Sequence, residues 1–271
     1  MNRSVVDTRQ VRRHFSNHAE EYDRYAVVQK KVVVNLLDLL RSSGPISGPV
    51  LEVGCGTGAL SRQISTLIPD LPLTISDIAH GMTRHAARAI PDVRAAVDAD
   101  AQDLPFREAR FGLVLSSSVY QWMNDLPRAF AEGARVLAPG GRFAFALFGE
   151  GTLYELRESH RLAMAEAGGG RPSHVQGFPA GEEVRSALVA AGFEGVLVRS
   201  VYEVERHSEV EILLRSLKRI GAQNAAGHRP AGLGSRQVMQ RMIQIYRQRY
   251  GREGNIPATY EVIYGIGGKP A

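Results

Sequence analysis

The chain has 271 residues, 44% of them hydrophobic and 23% charged, which is enough to bury a full core and excludes a disordered or fibrous protein. No apolar run approaches the roughly 18 to 20 residues that span a bilayer, and the polar, basic opening lacks the apolar segment of a secretory signal. The single cysteine, Cys55, allows no intrachain disulfide and fits a reduced, cytoplasmic setting, while the net charge of +5 is modest for a chain of this length.

In chain order, residues 5–40 read as helices. Val27, Val28, Val32, Leu36, Leu39 and Leu40 recur at helical spacing, and Ser42-Ser43-Gly44-Pro45 ends the run. A short buried strand is expected at 49–53, then glycines and a helix from about Ala59. Further strands are expected at 73–76, 93–97 (weak) and 111–116, with helices at 81–89 and 126–136. The turn Pro139-Gly140-Gly141 then leads into a fifth strand at 142–148. Strands alternating with helices imply an α/β fold with a parallel, doubly wound sheet.

After Phe148 the rhythm breaks. A helix at 152–166 runs into the loose stretch 168–172, and the pattern resumes with a helix at 182–191 and a strand at 196–205. A second insertion carries two helical patterns before a last strand at 259–264. The expected organisation is one domain: N-terminal helices at 1–45, a core at 46–148, insertions at 149–181 and 206–257, and the remaining core at 182–205 and 258–269. Ligands of doubly wound sheets bind beyond the carboxyl ends of the strands, so both insertions are lid candidates.

The sharpest motif is Glu52-Val53-Gly54-Cys55-Gly56-Thr57-Gly58-Ala59, between a buried strand and a helix. Its glycines permit positive φ and close approach of a ligand to the backbone. Gly54, Gly56 and Ala59 also satisfy the looser dinucleotide fingerprint, so the loop alone leaves NAD open. Glu52 weighs against it, because a carboxylate there would repel a pyrophosphate and suits a cationic amine. Asp77, nineteen residues after Gly58, is placed to hydrogen-bond a ribose diol, which NAD shares.

With Asp98-Ala99-Asp100-Ala101-Gln102-Asp103-Leu104-Pro105-Phe106 and Leu137-Ala138-Pro139-Gly140-Gly141, the chain resembles the class I S-adenosylmethionine-dependent methyltransferases. The resemblance implies a Rossmann-like, mostly parallel seven-stranded sheet with helical lids after strands 5 and 6, S-adenosylmethionine as cofactor, and no metal. It also implies that Glu52, Gly54 and Gly56 hold the methionine part and Asp77 the ribose. Asp100 and Ala101 would flank the adenine, and Ser116 would line the cavity.

The flanks narrow the choice. Arg12-Arg13-His14-Phe15-Ser16, Glu20-Glu21-Tyr22-Asp23, Ser118-Val119-Tyr120-Gln121-Trp122 and Gly151-Thr152-Leu153-Tyr154-Glu155-Leu156 are similar to the malonyl-acyl-carrier-protein O-methyltransferases of biotin synthesis. So are Leu214-Arg215-Ser216-Leu217-Lys218-Arg219-Ile220-Gly221-Ala222 and Thr259-Tyr260-Glu261-Val262-Ile263-Tyr264. The implied reaction is methyl transfer to the free carboxylate of a malonyl thioester. That carboxylate, with a pKa near about 4, is already an anion and needs no general base. Positioning and exclusion of water are what the enzyme must supply.

Arg215 and Lys218, at i and i+3 on one helix face, are the candidate carboxylate clamp, Arg215 being better suited to a bidentate grip; solvated surface residues would look the same. Tyr22 is expected over the methionine side, with Gln121 and Trp122 shaping the pocket. Residues 206–257 hold ten Lys and Arg against three Asp and Glu. Such a surplus suits an acidic acyl carrier protein, or malonyl-coenzyme A, with Arg236, Arg241, Arg247, Arg249 and Arg252 as the steering rim. Nucleic acid is not expected, because the surplus sits in an insertion without a nucleic-acid motif. A free small-molecule carboxylate or a quinone precursor remains the alternative substrate class.

Overall fold

The strands carry apolar residues on both faces, so helices must cover the sheet from both sides. In β1 (Val50–Val53), Val50 belongs to one core layer and Leu51 to the other; the same alternation separates Leu113 and Leu115 from Val114 in β4 (Phe111–Ser117). In β5 (Leu137–Phe148) it sets Ala144 and Ala146 against Phe143, Phe145 and Leu147. The computed structural model describes residues 6–70, 72–168, 177–221 and 233–271.

Together with β2 (Leu73–Asp77), β3 (Val93–Asp98), β6 (Glu194–His207) and β7 (Ile256–Gly268), these form a seven-stranded sheet of order β3-β2-β1-β4-β5-β7-β6. The first five strands are parallel, and β7 runs antiparallel between β5 and β6. The order reverses between β1 and β4, which opens a crevice beyond their carboxyl ends.

One face of the sheet is covered by α3 (Val27–Ser42), α4 (Ala59–Leu67) and α5 (His80–Ala89). The other is covered by α6 (Leu126–Val136) and α8 (Gly181–Ala190). Helix α6 starts where its sequence dictates: Asp125 accepts from the Arg128 amide at 3.0 Å, and a proline occupies the first turn. Ahead of α3 lie α1 (Thr8–His18), capped by Asp7, and the single turn α2 (Tyr22–Tyr25).

The two insertions supply α7 (Tyr154–Glu166), α9 (Val210–Arg219) and α10 (Leu233–Tyr250). Helix α7 packs on α10, with Tyr154 edge-on to Tyr250 at 5.9 Å and Arg241 bonded to Glu166 at 2.5 Å. Helix α9 meets α2, where the Arg219 guanidinium lies 4.9 Å from the Tyr25 ring centre. The N-terminal helices and both insertions therefore close over the same end of the sheet. Residues 169–172 of the expected loose stretch, and Ala222, lie outside the described residues.

Two boundaries differ from expectation. Pro139-Gly140-Gly141 is not a separate turn: β5 already pairs at Leu137, opposite Phe111, and the glycines form an irregularity where Leu113 pairs with Arg142. Gly140, at φ +73°, supplies the left-handed step. The last strand is longer than 259–264 because it is paired on both sides. Its glycines make room for the neighbours: a Cβ on Gly265 would sit 2.4 Å from the Phe145 ring.

The layer under α6 is held by Tyr120, Phe130, Phe143 and Phe145, all with ring centres within 4.8–5.7 Å of one another. Phe130→Ala should cost about 3–5 kcal/mol in urea unfolding, the usual range for an aromatic removed from a closed core. A loss below about 1 kcal/mol would show that this layer is not a packed unit.

Candidate active site

The glycine loop hangs from the neighbouring strand. The amides of Gly54 and Cys55 both donate to the Ser76 carbonyl, at 2.7 and 2.8 Å, and the Gly56 amide donates to Asp77 Oδ2 at 2.9 Å. The three glycines have different reasons to be glycine. A Cβ on Gly54 would lie 2.1 Å from Val119, and one on Gly58 2.5 Å from Ile90, so packing excludes side chains at both. A Cβ on Gly56 (φ +52°) would meet no atom within 4 Å, and Gly56 lines the cleft. Packing leaves that position open, on the side where a ligand sits.

This cleft has about 930 Å³ of empty space including its open mouth. Four carboxylates line it: Asp23, Glu52, Asp77 and Asp100. Glu52 is buried and accepts a hydrogen bond from the Ser61 hydroxyl. Burial, reinforced by Asp77, pushes its carboxyl up to about 8 despite that bond. Burial likewise raises Asp77 to about 6, against the amides of Ala79 and Gly56 that favour its anion. Neither carboxylate has an ion-pair partner among the described residues, though Arg62 acts on Glu52 from a distance; an ammonium and sulfonium ligand would supply closer cations. Cys55 is buried beside them, and the thiol is pushed well above its usual value, so it is inert as a nucleophile.

A second chamber adjoins the first, with about 1490 Å³ of empty space including open solvent. Phe15, Tyr22, Gln29, Ser118 and Trp122 line both and form the wall between them. Phe15 organises that wall, edge-on to Trp122 at 5.6 Å and tilted against Tyr22 at 6.3 Å. The Tyr22 phenol is held neutral by burial and by Asp77 and Asp23. The second chamber is largely apolar, between α7, α9 and α10. Its charged or basic lining is Arg157, His160 and Lys218, with no carboxylate among the described residues.

The N-terminal segment is fastened onto the loop. Asp23 accepts from Thr57 Oγ1 at 2.5 Å and pairs with Arg62 at 3.4 Å, and Arg62 also donates to the Thr57 carbonyl at 2.9 Å. Tyr22 is thereby set at the mouth of the first chamber.

Most residues expected from the sequence come together. Glu52, Gly54, Gly56, Asp77, Asp100 and Ala101 line the first chamber, Tyr22 and Trp122 both, and Gln121 and Lys218 the second. Gln121 is buried, its amide donating to the Ser118 carbonyl at 2.7 Å. Two expectations fail. Ser116 lies within β4 on the same face as Val114, turned into the opposite core; Ser117 and Ser118 line the cavity instead. Arg215 is exposed and does not line either chamber, because Leu214 and Leu217 present the inward face of α9.

Sequence reasoning also missed Phe15, Ser118, Arg157 and His160. Phe15 stood in a quoted motif, and Arg157 directly follows another. Ser118 opens another quoted motif, but its φ of +60° gave no sign in the sequence, since a non-glycine in that region is set by its surroundings. No cluster of His, Cys, Asp or Glu suited to a metal occurs among the described residues.

Residues 51–145 match the family model of a methyltransferase domain. The chain is 45% identical, over 97% of its length and 99% of the relative's, to a malonyl-acyl-carrier-protein O-methyltransferase of Geobacter sulfurreducens. It is 37% identical, over 98% of its length and 90% of the relative's, to one from a Methylovorus species. The chain belongs to the malonyl-acyl-carrier-protein O-methyltransferases. Solved structures agree on the fold. A putative methyltransferase of Bacillus halodurans matches with TM-score 0.60 at 16% identity, over 88% of this chain and 100% of that one. Phosphoethanolamine N-methyltransferase 2 of Haemonchus contortus, bound to S-adenosyl-L-methionine, matches with TM-score 0.54 at 20% identity, over 88% and 52%.

Two measurements test this site in the methyltransferase. Gly56→Val should abolish cofactor binding in calorimetry, with a lowering of the melting temperature no larger than left-handed strain of about 1–2 kcal/mol implies. Gly54→Val, meeting Val119, should destabilise the fold itself. Unchanged affinity in Gly56→Val would remove the loop from the site.

The raised carboxyls set a pH dependence. Folded Glu52 holds its proton up to about 8 rather than 4.5, so its contribution to apoprotein stability is present below pH 4.5 and is lost as pH rises through 8. A cationic ligand favours the carboxylate, so binding near pH 7 should release protons. The release is read from calorimetry in buffers of different ionisation enthalpy, and Glu52→Gln should lose most of it. Binding without proton release would contradict the assignment of Glu52 to the ligand's cationic end.

Proposed function

We propose that this methyltransferase transfers a methyl group from S-adenosylmethionine to the free carboxylate of a malonyl thioester carried on an acyl carrier protein, an early step of biotin synthesis. The observation that carries the reading is the pair of adjoining chambers with different linings, four carboxylates and one lysine, Lys30, in the first and basic groups without a carboxylate in the second. A cationic donor and an anionic acceptor fit those chambers in that order, and they meet across the shared wall.

The first chamber's residues fit the cofactor. Glu52, aided by the backbone of Gly54 and Gly56, takes the methionine end, Asp77 the ribose hydroxyls, and Asp100 with Ala101 the adenine side. When bound, the cofactor supplies an electrophilic methyl on a sulfonium. A carboxylate oxygen lone pair forms the new C–O bond while the C–S bond breaks with its electrons going to sulfur, so cation and anion become two neutral products. No proton moves, and no residue acts as general base. Phe15, Tyr22 and Trp122 hold the in-line geometry and keep water from the reacting carboxylate.

The carrier protein, taken to be acidic, meets a basic rim that is smaller than the sequence suggested. Arg241 is paired with Glu166, and Arg247 with Glu211 and Glu209. Arg236, Arg249, Arg252 and Arg215 are exposed, with no ion-pair partner among the described residues. Arg236 lies one turn from Met239, which lines the second chamber, so its charge sits near the opening through which a tethered substrate enters. Malonyl-coenzyme A would use the same chamber without this encounter. No described helix is long and apolar enough to cross a membrane, and the lone buried thiol suits a reducing cytoplasm.

Labelled S-adenosylmethionine offered with malonyl-carrier protein, malonyl-coenzyme A and free dicarboxylates tests the substrate class. Label should enter the thioesters, and equal labelling of the free acids would overturn the assignment in favour of a small-molecule carboxylate. Raising salt from about 50 to 500 mM should slow the carrier-protein reaction far more than the coenzyme A reaction. An equal response would remove the rim from substrate encounter.

A further inference from the structure

The second chamber holds an arginine with an unusual environment. Arg157 lies one residue beyond Leu156 on α7, half-buried among the apolar lining. Its Nη2 donates to the Glu150 carbonyl, while its buried Nε has no hydrogen-bond partner. No carboxylate lies within ion-pair distance of the guanidinium among the described residues; burial lowers its pKa, and the carboxylates of Glu150 and Glu261, farther off, offset only part of that. A half-buried cation with an unused donor is costly unless something anionic completes it.

We propose that Arg157, not Arg215, is the residue that grips the malonyl carboxylate and sets the preference for malonyl over uncharged acyl groups. This rests on the malonyl-thioester reading above and names the recognition element within it. The chamber offers three basic candidates, and their surroundings separate them. Lys218 is exposed, and its ammonium is a point charge without a planar fork. His160 lies one turn beyond Arg157 on the same helix and can supply only one further donor towards the same space. Arg157 has a guanidinium steadied at one end by the Glu150 carbonyl, with donors left for a carboxylate.

Its location also explains how one carboxylate can be both held and methylated. The lining runs from Arg157 on α7 to Ser118 and Trp122, which are shared with the donor chamber. A carboxylate gripped through one oxygen from the α7 side keeps lone pairs free towards the shared wall. An uncharged acetyl group would leave the guanidinium unanswered. Discrimination then follows from a half-buried charge without an ion-pair partner rather than from size.

The test compares two thioesters on the full-length enzyme: KM for malonyl-carrier protein, and the inhibition constant of acetyl-carrier protein as its competitor. In the wild type, acetyl-carrier protein should bind on the order of 10- to 100-fold more weakly than malonyl. In Arg157→Gln the two should converge, with cofactor affinity unchanged. Arg157→Lys, which keeps the charge but not the fork, should recover only part of the preference. Arg215→Gln should keep the full preference even where it alters salt dependence.

Full preference in Arg157→Gln, or its loss in Arg215→Gln, would overturn the proposal. If Arg157→Gln loses cofactor affinity or cooperative unfolding, Arg157→Lys decides: a wild-type preference overturns the proposal and a reduced one supports it. A wild type that fails to methylate malonyl thioesters at all sinks the parent reading instead, and the two failures are thereby told apart.

Discussion

The architecture depends on keeping two opposite charges apart until they react. A sulfonium and a carboxylate attract, yet each must also be desolvated, and a lone charge removed from water costs several kcal/mol unless it is answered locally. The protein meets this by separating its own charges. Carboxylates collect around the glycine loop at the carboxyl ends of β1 and β2, and basic groups collect between α7, α9 and α10. Neither set neutralises the other, because the aromatic wall of Phe15, Tyr22 and Trp122 lies between them.

That separation accounts for features that look unfavourable in isolation. Glu52 and Asp77 are buried and Arg157 is half-buried, and none of the three has an ion-pair partner among the described residues. Ser118 and Leu153 take positive φ without being glycine, and both line the second chamber. Each costs the apoprotein stability, and each sits where a ligand is expected. The aromatic layer of Tyr120, Phe130, Phe143 and Phe145 packs ring on ring on the other face of the sheet. Local strain at the site is thus offset by a core that does not share it.

Much of the first chamber was legible in the sequence because its chemistry is written in consecutive residues. A strand, three glycines, an acid before them and an acid at the end of the next strand fix one another through short connections. Ser116 shows the limit of that legibility: the expected end of β4 falls one residue short of Ser117, and with a period of two an error of one residue turns a side chain from the cavity into the core. The second chamber was far less legible. Its lining comes from helices distant in sequence, and whether Arg157 or Arg215 faces inward is decided by how α7 packs on α10 and α9 on α2. Both arginines adjoin apolar helix positions, so periodicity alone does not choose between them.

The same charge logic bears on turnover. Transfer converts a cation and an anion into a neutral thioether and a neutral ester, so the electrostatic attraction that gathered the reactants ends with the reaction. On the proposed reading, the guanidinium of Arg157 loses its carboxylate at the moment of transfer, and the acidic chamber loses the sulfonium while retaining the ammonium. The ester is then held mainly by apolar contacts and by the carrier protein's hold on the rim. A chamber that binds through a charge the chemistry removes favours substrate over product without a moving part. The cost is an apoprotein with a protonated Glu52 and a desolvated Asp77 on one side of the aromatic wall and a half-buried Arg157 without an ion-pair partner on the other.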